Sequence, residues 1–278
     1  MIGKFEILEN AKKWGLSANI VEKDYVLNWV LAGISANSAL KSTYVFKGGT
    51  CLKKCFFENY RFSEDLDFTV TEPEYMRIDF LKETFFAVSE WIYEKSGVEI
   101  LDSDIRFDEF QTLKRGVAVE GRLGFRGPLE RKGDWARIKL DLTHHERLVF
   151  EPVLREVYHP YSDELKINIK AYSLEEIFAE KLRALAERLR PRDLYDVINL
   201  FERKASETDQ KALLFCLQEK CDFKKIDLPT ITHLQSRLEL QELIKEWRNM
   251  LAHQIHDLPS YETYWQKLPA VLSWVYGS

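Results

Sequence analysis

Apolar residues recur at helical spacing through the first forty positions, at Ile20, Val21, Tyr25, Val26, Trp29 and Val30, without an intervening proline. A short β-rich run, Tyr44-Val45-Phe46, ends at Gly48-Gly49, and a helix is expected from about Thr50 to Phe57. Asp65-Leu66-Asp67-Phe68-Thr69-Val70 alternates polar with apolar, the period of a half-buried strand. A further helix is expected around Phe80 to Lys95. The segments Val98–Phe107, Val117–Phe125 and Arg137–Leu142 read as strands by β-propensity and alternation. Strands with interspersed helices predict one α/β domain over residues 1–165.

Beyond Lys170 the pattern turns helical, predicting a second domain over 166–278. Ser173 followed by Glu176 has the spacing of a capping box. Leu174, Phe178, Leu182, Leu185 and Leu189 follow at steps of three and four, and Pro191 suits the first turn of a new helix. More helix is expected over Asp193–Phe201, Lys211–Glu219, Leu234–Trp247 and Tyr261–Trp274.

At 278 residues and 45% apolar composition, the chain can bury a substantial core. The net charge of −5 means that a polyanion would need a local basic patch. The stretch from Lys181 to Arg192, with five Lys or Arg in twelve positions, is the densest candidate. The start, Met1-Ile2-Gly3-Lys4-Phe5-Glu6, lacks the apolar region of a secretory signal. The greasy run Tyr25–Ile34 is far below the roughly 20 residues a membrane span needs. Cys51, Cys55, Cys216 and Cys221 form no CxxC pair and suit a reduced, buried role. Together these features point to a cytoplasmic protein.

The residues that carry chemistry begin at Gly48-Gly49-Thr50-Cys51-Leu52, followed by Arg61-Phe62-Ser63-Glu64-Asp65-Leu66-Asp67. Two glycines after a strand allow close approach of a ligand to the backbone, and the following helix offers amides to phosphate. Asp65 and Asp67, two apart in a strand, share a face with Cα atoms about 6.6 Å apart. Such a pair suits two divalent ions about 3.5–4 Å apart, and all-oxygen ligands favour Mg²⁺ over Zn²⁺. Taken singly, a Gly-Gly is a turn and an alternating Asp face is a solvated strand; the joint order is what points to a site.

Asp141 lies on the polar side of Arg137-Ile138-Lys139-Leu140-Asp141-Leu142 and is a third candidate metal ligand and proton acceptor, or a surface residue closing a strand. Lys181 and Arg188, seven apart with Ala184 between, superpose on one helical face. Asp193 and Asp196 follow at i,i+3, placed to orient Lys181 or to hold ribose hydroxyls. The alternative is an amphipathic helix with a charged outer face.

At these positions the chain resembles the AbiEii/AbiGii toxin family of nucleotidyltransferases, within the polymerase-beta-like superfamily. The first motif is matched by Gly48, Gly49, Leu52, Arg61, Ser63, Asp65 and Asp67, and a short hydrophobic-Asp motif by Leu140-Asp141. The third is matched by Lys181, Ala184, Arg188, Arg192, Asp193 and Asp196. Glu22-Lys23-Asp24-Tyr25-Val26-Leu27 and Leu258-Pro259…Trp265 are similar to family segments, and residues 72–130 are the least diagnostic. The resemblance implies an α/β (α+β) nucleotidyltransferase domain with a mixed twisted sheet, followed by a helical bundle. It implies Asp65, Asp67 and Asp141 as metal ligands for Mg²⁺ (or Mn²⁺). Gly48, Gly49, Ser63, Lys181, Arg188 and Asp193 would bind nucleotide, and Lys181 and Asp196 would complete the catalytic set. The implied reaction is NMP transfer from an NTP to an acceptor, the 3′ end of tRNA or another RNA, or in some relatives a protein. A toxin role with a cognate antitoxin follows, and no membrane association.

Two other readings compete. Arg248 and His253 have the Arg-x4-His spacing of HEPN-type ribonucleases, which on one helical face would cleave RNA by acid–base chemistry without metal. A nucleotide-binding protein that does not catalyse is the other. His144-His145 and His159 lack partners at zinc-ligand spacing and read as polar loop.

Overall fold

The computed structural model describes residues 1–111, 116–131 and 135–277. The chain forms two compact units, Met1–Glu146 with Pro152–Ala171, and Arg147–Glu151 with Tyr172–Ser278.

The first unit is a seven-stranded mixed sheet with helices. After α1 (Lys4–Trp14), α2 (Ala18–Ala36) and α3 (Ser38–Thr43) come β1 (Tyr44–Lys47) and α4 (Gly48–Cys51), which runs on as a π-helical turn over Leu52–Phe56. β2 (Asp65–Val70), α5 (Ile78–Ser96), β3 (Glu99–Gln111), β4 (Val117–Arg126), β5 (Ala136–Thr143), β6 (Val153–Glu156) and β7 (Asn168–Ala171) complete it. The strand order is β3-β4-β5-β2-β1-β7-β6, with β2 parallel to β5, β1 parallel to β7 and the other pairs antiparallel. This is the mixed α/β architecture expected.

The two faces of the sheet differ sharply. Tyr44, Phe46, Leu66, Phe68, Val70, Ile138, Leu140 and Leu142 are buried on one face. α2 packs against β5, β7 and α5, and α5 against β3. Every residue of α2 from Asp24 to Ile34 is buried, so this greasy run is a core helix. Among the described residues no helix is long and apolar enough to cross a membrane. The opposite face carries the polar half of each alternation, including Asp65, Asp67, Lys139 and Asp141.

β6 and β7 escape sequence reading because four residues give too few alternations to separate from loop. The helix expected from Thr50 starts two residues earlier, at Gly48, and leaves the α register at Leu52.

The second unit is helical: α6 (Leu174–Arg188), α7 (Pro191–Lys204), α8 (Gln210–Lys224), α9 (Ile231–Ser236), α10 (Glu239–Leu251), α11 (Tyr261–Trp265) and α12 (Leu268–Tyr276). Pro191 opens α7 at its first turn, as expected. Ser173 caps α6 by accepting from the Glu176 N–H (3.1 Å), but Glu176 does not close the box. Its carboxylate instead accepts from the Val149 and Phe150 N–H groups and pairs with Lys220 at 2.7 Å.

Two expected long helices are each broken. Leu234–Trp247 is divided at Arg237, which is extended and sends its guanidinium to the Ala186 and Glu187 carbonyls at the end of α6. Those carbonyls have no intrahelical donor, and the side chain supplies one. Tyr261–Trp274 is divided before Pro269, which has no N–H to continue a helix and sits in the first turn of α12.

Candidate active site

The first cluster lies at the junction of β1, α4, β2 and β5. Lys47 stands opposite Asp67 across β1 and β2, and Asp67 opposite Asp141 across β2 and β5. Asp65, Asp67 and Asp141 thus share the polar face on two adjacent strands, whose backbones lie about 4.8 Å apart. All three are half-buried.

The glycine pair is fitted to this face. Gly48 has φ +79°, and a Cβ built on it would lie 2.1 Å from Asp67 Oδ2. A Cβ on Gly49 would meet the Arg61 guanidinium at 2.6 Å and Ser63 Oγ at 3.2 Å. Thr50 donates from its hydroxyl to the Asp65 carbonyl, tying α4 to the first residue of β2. The π-helical turn after α4 is anchored from below: Lys54 donates to Asp24 Oδ2 at 2.8 Å and Lys53 lies 3.8 Å from Oδ1. Tyr161 also donates to Asp24 Oδ2. π-turns are frequent beside functional sites, because the extra residue re-aims the chain.

Lys139, two residues before Asp141 and on the same face, pairs with Asp141 and with Glu120, each at 3.0 Å. Burial pushes the Asp141 carboxyl above its ordinary range, as do the neighbouring charges of Asp65 and Glu120, against the pull of Lys139. Lys139 is held protonated by Asp141 and Glu120, which outweigh its partial burial. Neither Lys139 nor Glu120 stands in a motif of the sequence. The parity of β5 could have found the lysine, but Glu120 needs the β4–β5 register.

The donor set on this face is carboxylate oxygen alone, which fits a hard divalent ion such as Mg²⁺. Among the described residues no group of three or more His, Cys, Asp or Glu side chains stands at metal-binding spacing. In the protein as folded, Lys139 supplies the positive charge at Asp141.

The second cluster belongs to the helical unit. Lys181 Nζ lies 2.7 Å from Asp196 Oδ2 and 3.9 Å from Asp193 Oδ1. Arg188 donates two bonds to Asp193, from Nε at 2.7 Å and Nη2 at 2.8 Å. Lys181, Ala184, Asp193 and Asp196 are buried. They form a packed ionic cluster joining α6 to α7, and the reading of a solvated outer face does not hold. Nor is the basic stretch Lys181–Arg192 a free polyanion surface, since Arg183 pairs with Glu180 and Glu187 on its own helix.

Of the ribonuclease pair, Arg248 lies in the last turn of α10, which ends at Leu251, and His253 in the turn that follows it. His144 is engaged through Nδ1 with the Val70 carbonyl (2.8 Å), and His159 bridges Asn28 and Asp163, both at 2.8 Å.

A family model described as nucleotidyl transferase AbiEii toxin, Type IV TA system, matches residues 29–270. The chain belongs to the AbiEii nucleotidyltransferase toxin family. The AbiEii match covers both clusters. No curated protein matches in sequence. The AbiEii chain is similar in fold to the nucleotidyltransferase toxin MenT4 of Mycobacterium tuberculosis H37Rv, at 16% identity and a TM-score of 0.66, over 100% of this chain and 91% of that one. It is similar also to JHP933 of Helicobacter pylori, at 15% identity and a TM-score of 0.59, over 94% of each chain.

Proposed function

We propose that this AbiEii-family chain is a metal-dependent enzyme that transfers an NMP from an NTP to the 3′ end of tRNA, in the cytoplasm, opposed by a cognate antitoxin. The observation that carries the reading is the fit of the Gly48-Gly49 turn against Asp67 and Ser63, with Asp65 and Asp141 on the same face. A turn without Cβ atoms beside a serine and three carboxylates suits a polyphosphate bound through a divalent ion.

In this reading Gly48, Gly49 and Ser63 hold the phosphates, and Asp65, Asp67 and Asp141 hold Mg²⁺ or Mn²⁺. A bound ion would neutralise charge on the phosphate oxygens and on the leaving pyrophosphate. The acceptor hydroxyl forms the new P–O bond at the α-phosphorus, the bond to the bridging oxygen breaks, and pyrophosphate leaves. Asp141 takes the hydroxyl proton. Lys181 contributes the cation for the triphosphate, held by Asp196, with Asp193 and Arg188 fixing both; this assignment is carried by the match of the third family motif.

The test is incubation with each labelled NTP, Mg²⁺ and total RNA, comparing wild type with Asp65→Ala and Lys181→Ala. Label in RNA that vanishes in both variants is expected. Persistent labelling by Asp65→Ala overturns the mechanism, and label in protein alone redirects the acceptor. A chain that binds nucleotide without catalysis would label neither.

A further inference from the structure

A second feature of the polar face appears only once the strands are in register. Arg106 on β3 stands opposite Arg122 on β4, Arg122 opposite Lys139 on β5, and Lys139 opposite Asp65 on β2. Three cations and the first acidic residue therefore form one straight row across four strands. At about 4.8 Å per strand the row is roughly 14 Å long. Arg137, two residues before Lys139, flanks it on the same face.

These side chains line an open cleft of about 520 Å³ whose walls are Lys23, Asp65, Arg106, Arg122, Arg137 and Lys139. Five of the six are cationic, drawn from four elements that are far apart in a chain of net charge −5. The arginines are 49–64% exposed along their side chains. On the free protein they lean on carboxylates: Arg106 on Asp104 (3.5 Å), Arg137 on Asp104 (3.4 Å), and Arg122 on Asp108 (3.7 Å) and on Glu120. Lys23 pairs with Glu64 at 3.0 Å. The guanidinium ends of these pairs are open to solvent, so phosphate oxygens can reach them, although Asp104 itself is largely buried.

We infer that this row is the track for the acceptor strand, gripping the phosphodiester backbone of a polynucleotide whose terminal hydroxyl lies at the Asp65 end. The inference rests on the proposed transferase reading for the placing of that hydroxyl. The sheet order separates the two ligands. Gly49 and Ser63, assigned to the nucleotide, adjoin β1 and the start of β2, whereas β5, β4 and β3 lie on the other side of β2. A row of about 14 Å has room for several successive phosphates, and its cations recognise backbone rather than base.

The experiment measures binding of a fluorescent single-stranded RNA of about 12 nucleotides to the full chain across a salt series. Wild type is compared with the triple variant Arg106→Ala, Arg122→Ala, Arg137→Ala, and binding of a labelled NTP is measured in parallel. The triple variant should bind RNA at least about tenfold more weakly at low salt. Its slope of log affinity against log salt should be shallower by about 2, since each single-strand phosphate contact contributes about 0.7. NTP binding should be unchanged. Equal RNA affinity in both proteins, or no RNA binding by wild type, overturns the track. An equal loss of NTP binding overturns it too, by assigning the cleft to the triphosphate. NMP transfer assayed on the same proteins separates the two ideas. RNA binding that depends on the arginines, without transfer by wild type, retains the track and removes the transferase reading.

Discussion

Gly48 and Asp67 occupy space that only a glycine leaves free, since a Cβ on Gly48 would stand 2.1 Å from the Asp67 carboxylate. The constraint is doubled by the backbone, whose φ of +79° at Gly48 disfavours any L side chain. Gly48→Ala should therefore act on Asp67 more than on the fold. The left-handed conformation costs about 1–2 kcal/mol, which a urea titration would read. Displacing Asp67 by about 1 Å should lower turnover by about 100-fold. Transfer near the wild-type rate in a folded Gly48→Ala protein would remove Asp67 from the proposed centre.

Asp24 sets the floor beneath this turn. Burial would push its carboxyl up, but Lys53, Lys54 and Tyr161 together hold it below the ordinary range. Removing one partner of a buried ionic group costs about 3–5 kcal/mol, because the other charges stay buried unpaired. Asp24→Asn should lower the stability of the first unit by that order, and Tyr161→Phe by less, about 1.5–3 kcal/mol, the net worth of one hydrogen bond to a charged group. Denaturant midpoints for both variants check the ranking, and a larger loss from Tyr161→Phe would contradict it.

These residues also mark where sequence reading reaches and where it stops. β2 is legible to the residue, because Asp65 to Val70 alternates without interruption and has one buried face. Gly48-Gly49 is legible as a turn, but its collision partners are not, since they depend on the β1–β2 register that sets Lys47 opposite Asp67. The cation row is invisible for the same reason: Arg106, Arg122 and Lys139 are unremarkable singly and align only through two strand pairings. The dense basic run at 181–192 was the more visible signal, and burial with Asp193, Asp196 and Glu180 absorbs much of it. Arg237 breaks a helix that its local pattern supports, because the carbonyls it satisfies are some fifty residues away.

His159, Asp163 and Tyr25 give a pH dependence with a definite sign. Asp163 accepts from the Tyr25 hydroxyl at 2.7 Å and from the His159 ring at 2.8 Å. Burial opposes its ionisation, but those two hydrogen bonds prevail and hold its carboxyl below the ordinary value of 3.8. A depressed folded-state pKa gives stability that is full above the unfolded value and is lost as pH falls through the folded one. Between pH 7 and 5 this contribution should be flat, and below about pH 4 it should fade. Asp163→Asn should remove that part of the acid sensitivity; parallel unfolding midpoints for both proteins from pH 5 to pH 3 would refute the assignment.

Lys181 poses a test of activity that must be kept apart from a test of folding. Its ammonium sits 2.7 Å from Asp196, whose side chain is fully buried, and Asp193 is equally enclosed. Truncation to alanine removes the ammonium 2.7 Å from Asp196, while Asp193 keeps the Arg188 fork. Removing one partner from a buried carboxylate destabilises by up to about 3–5 kcal/mol. Lys181→Ala should therefore lower the unfolding midpoint of the helical unit as well as abolish transfer. Lys181→Arg retains the charge but replaces a compact ammonium with a broad planar fork. It should recover most of the stability while transfer stays at least about tenfold down, because a triphosphate contact depends on where the charge is held. Circular dichroism melts and labelled-NTP transfer on the same preparations make the comparison. Full recovery of transfer in proportion to stability would show that Lys181 serves only to pack α6 against α7, and that the nucleotide finds its cation elsewhere.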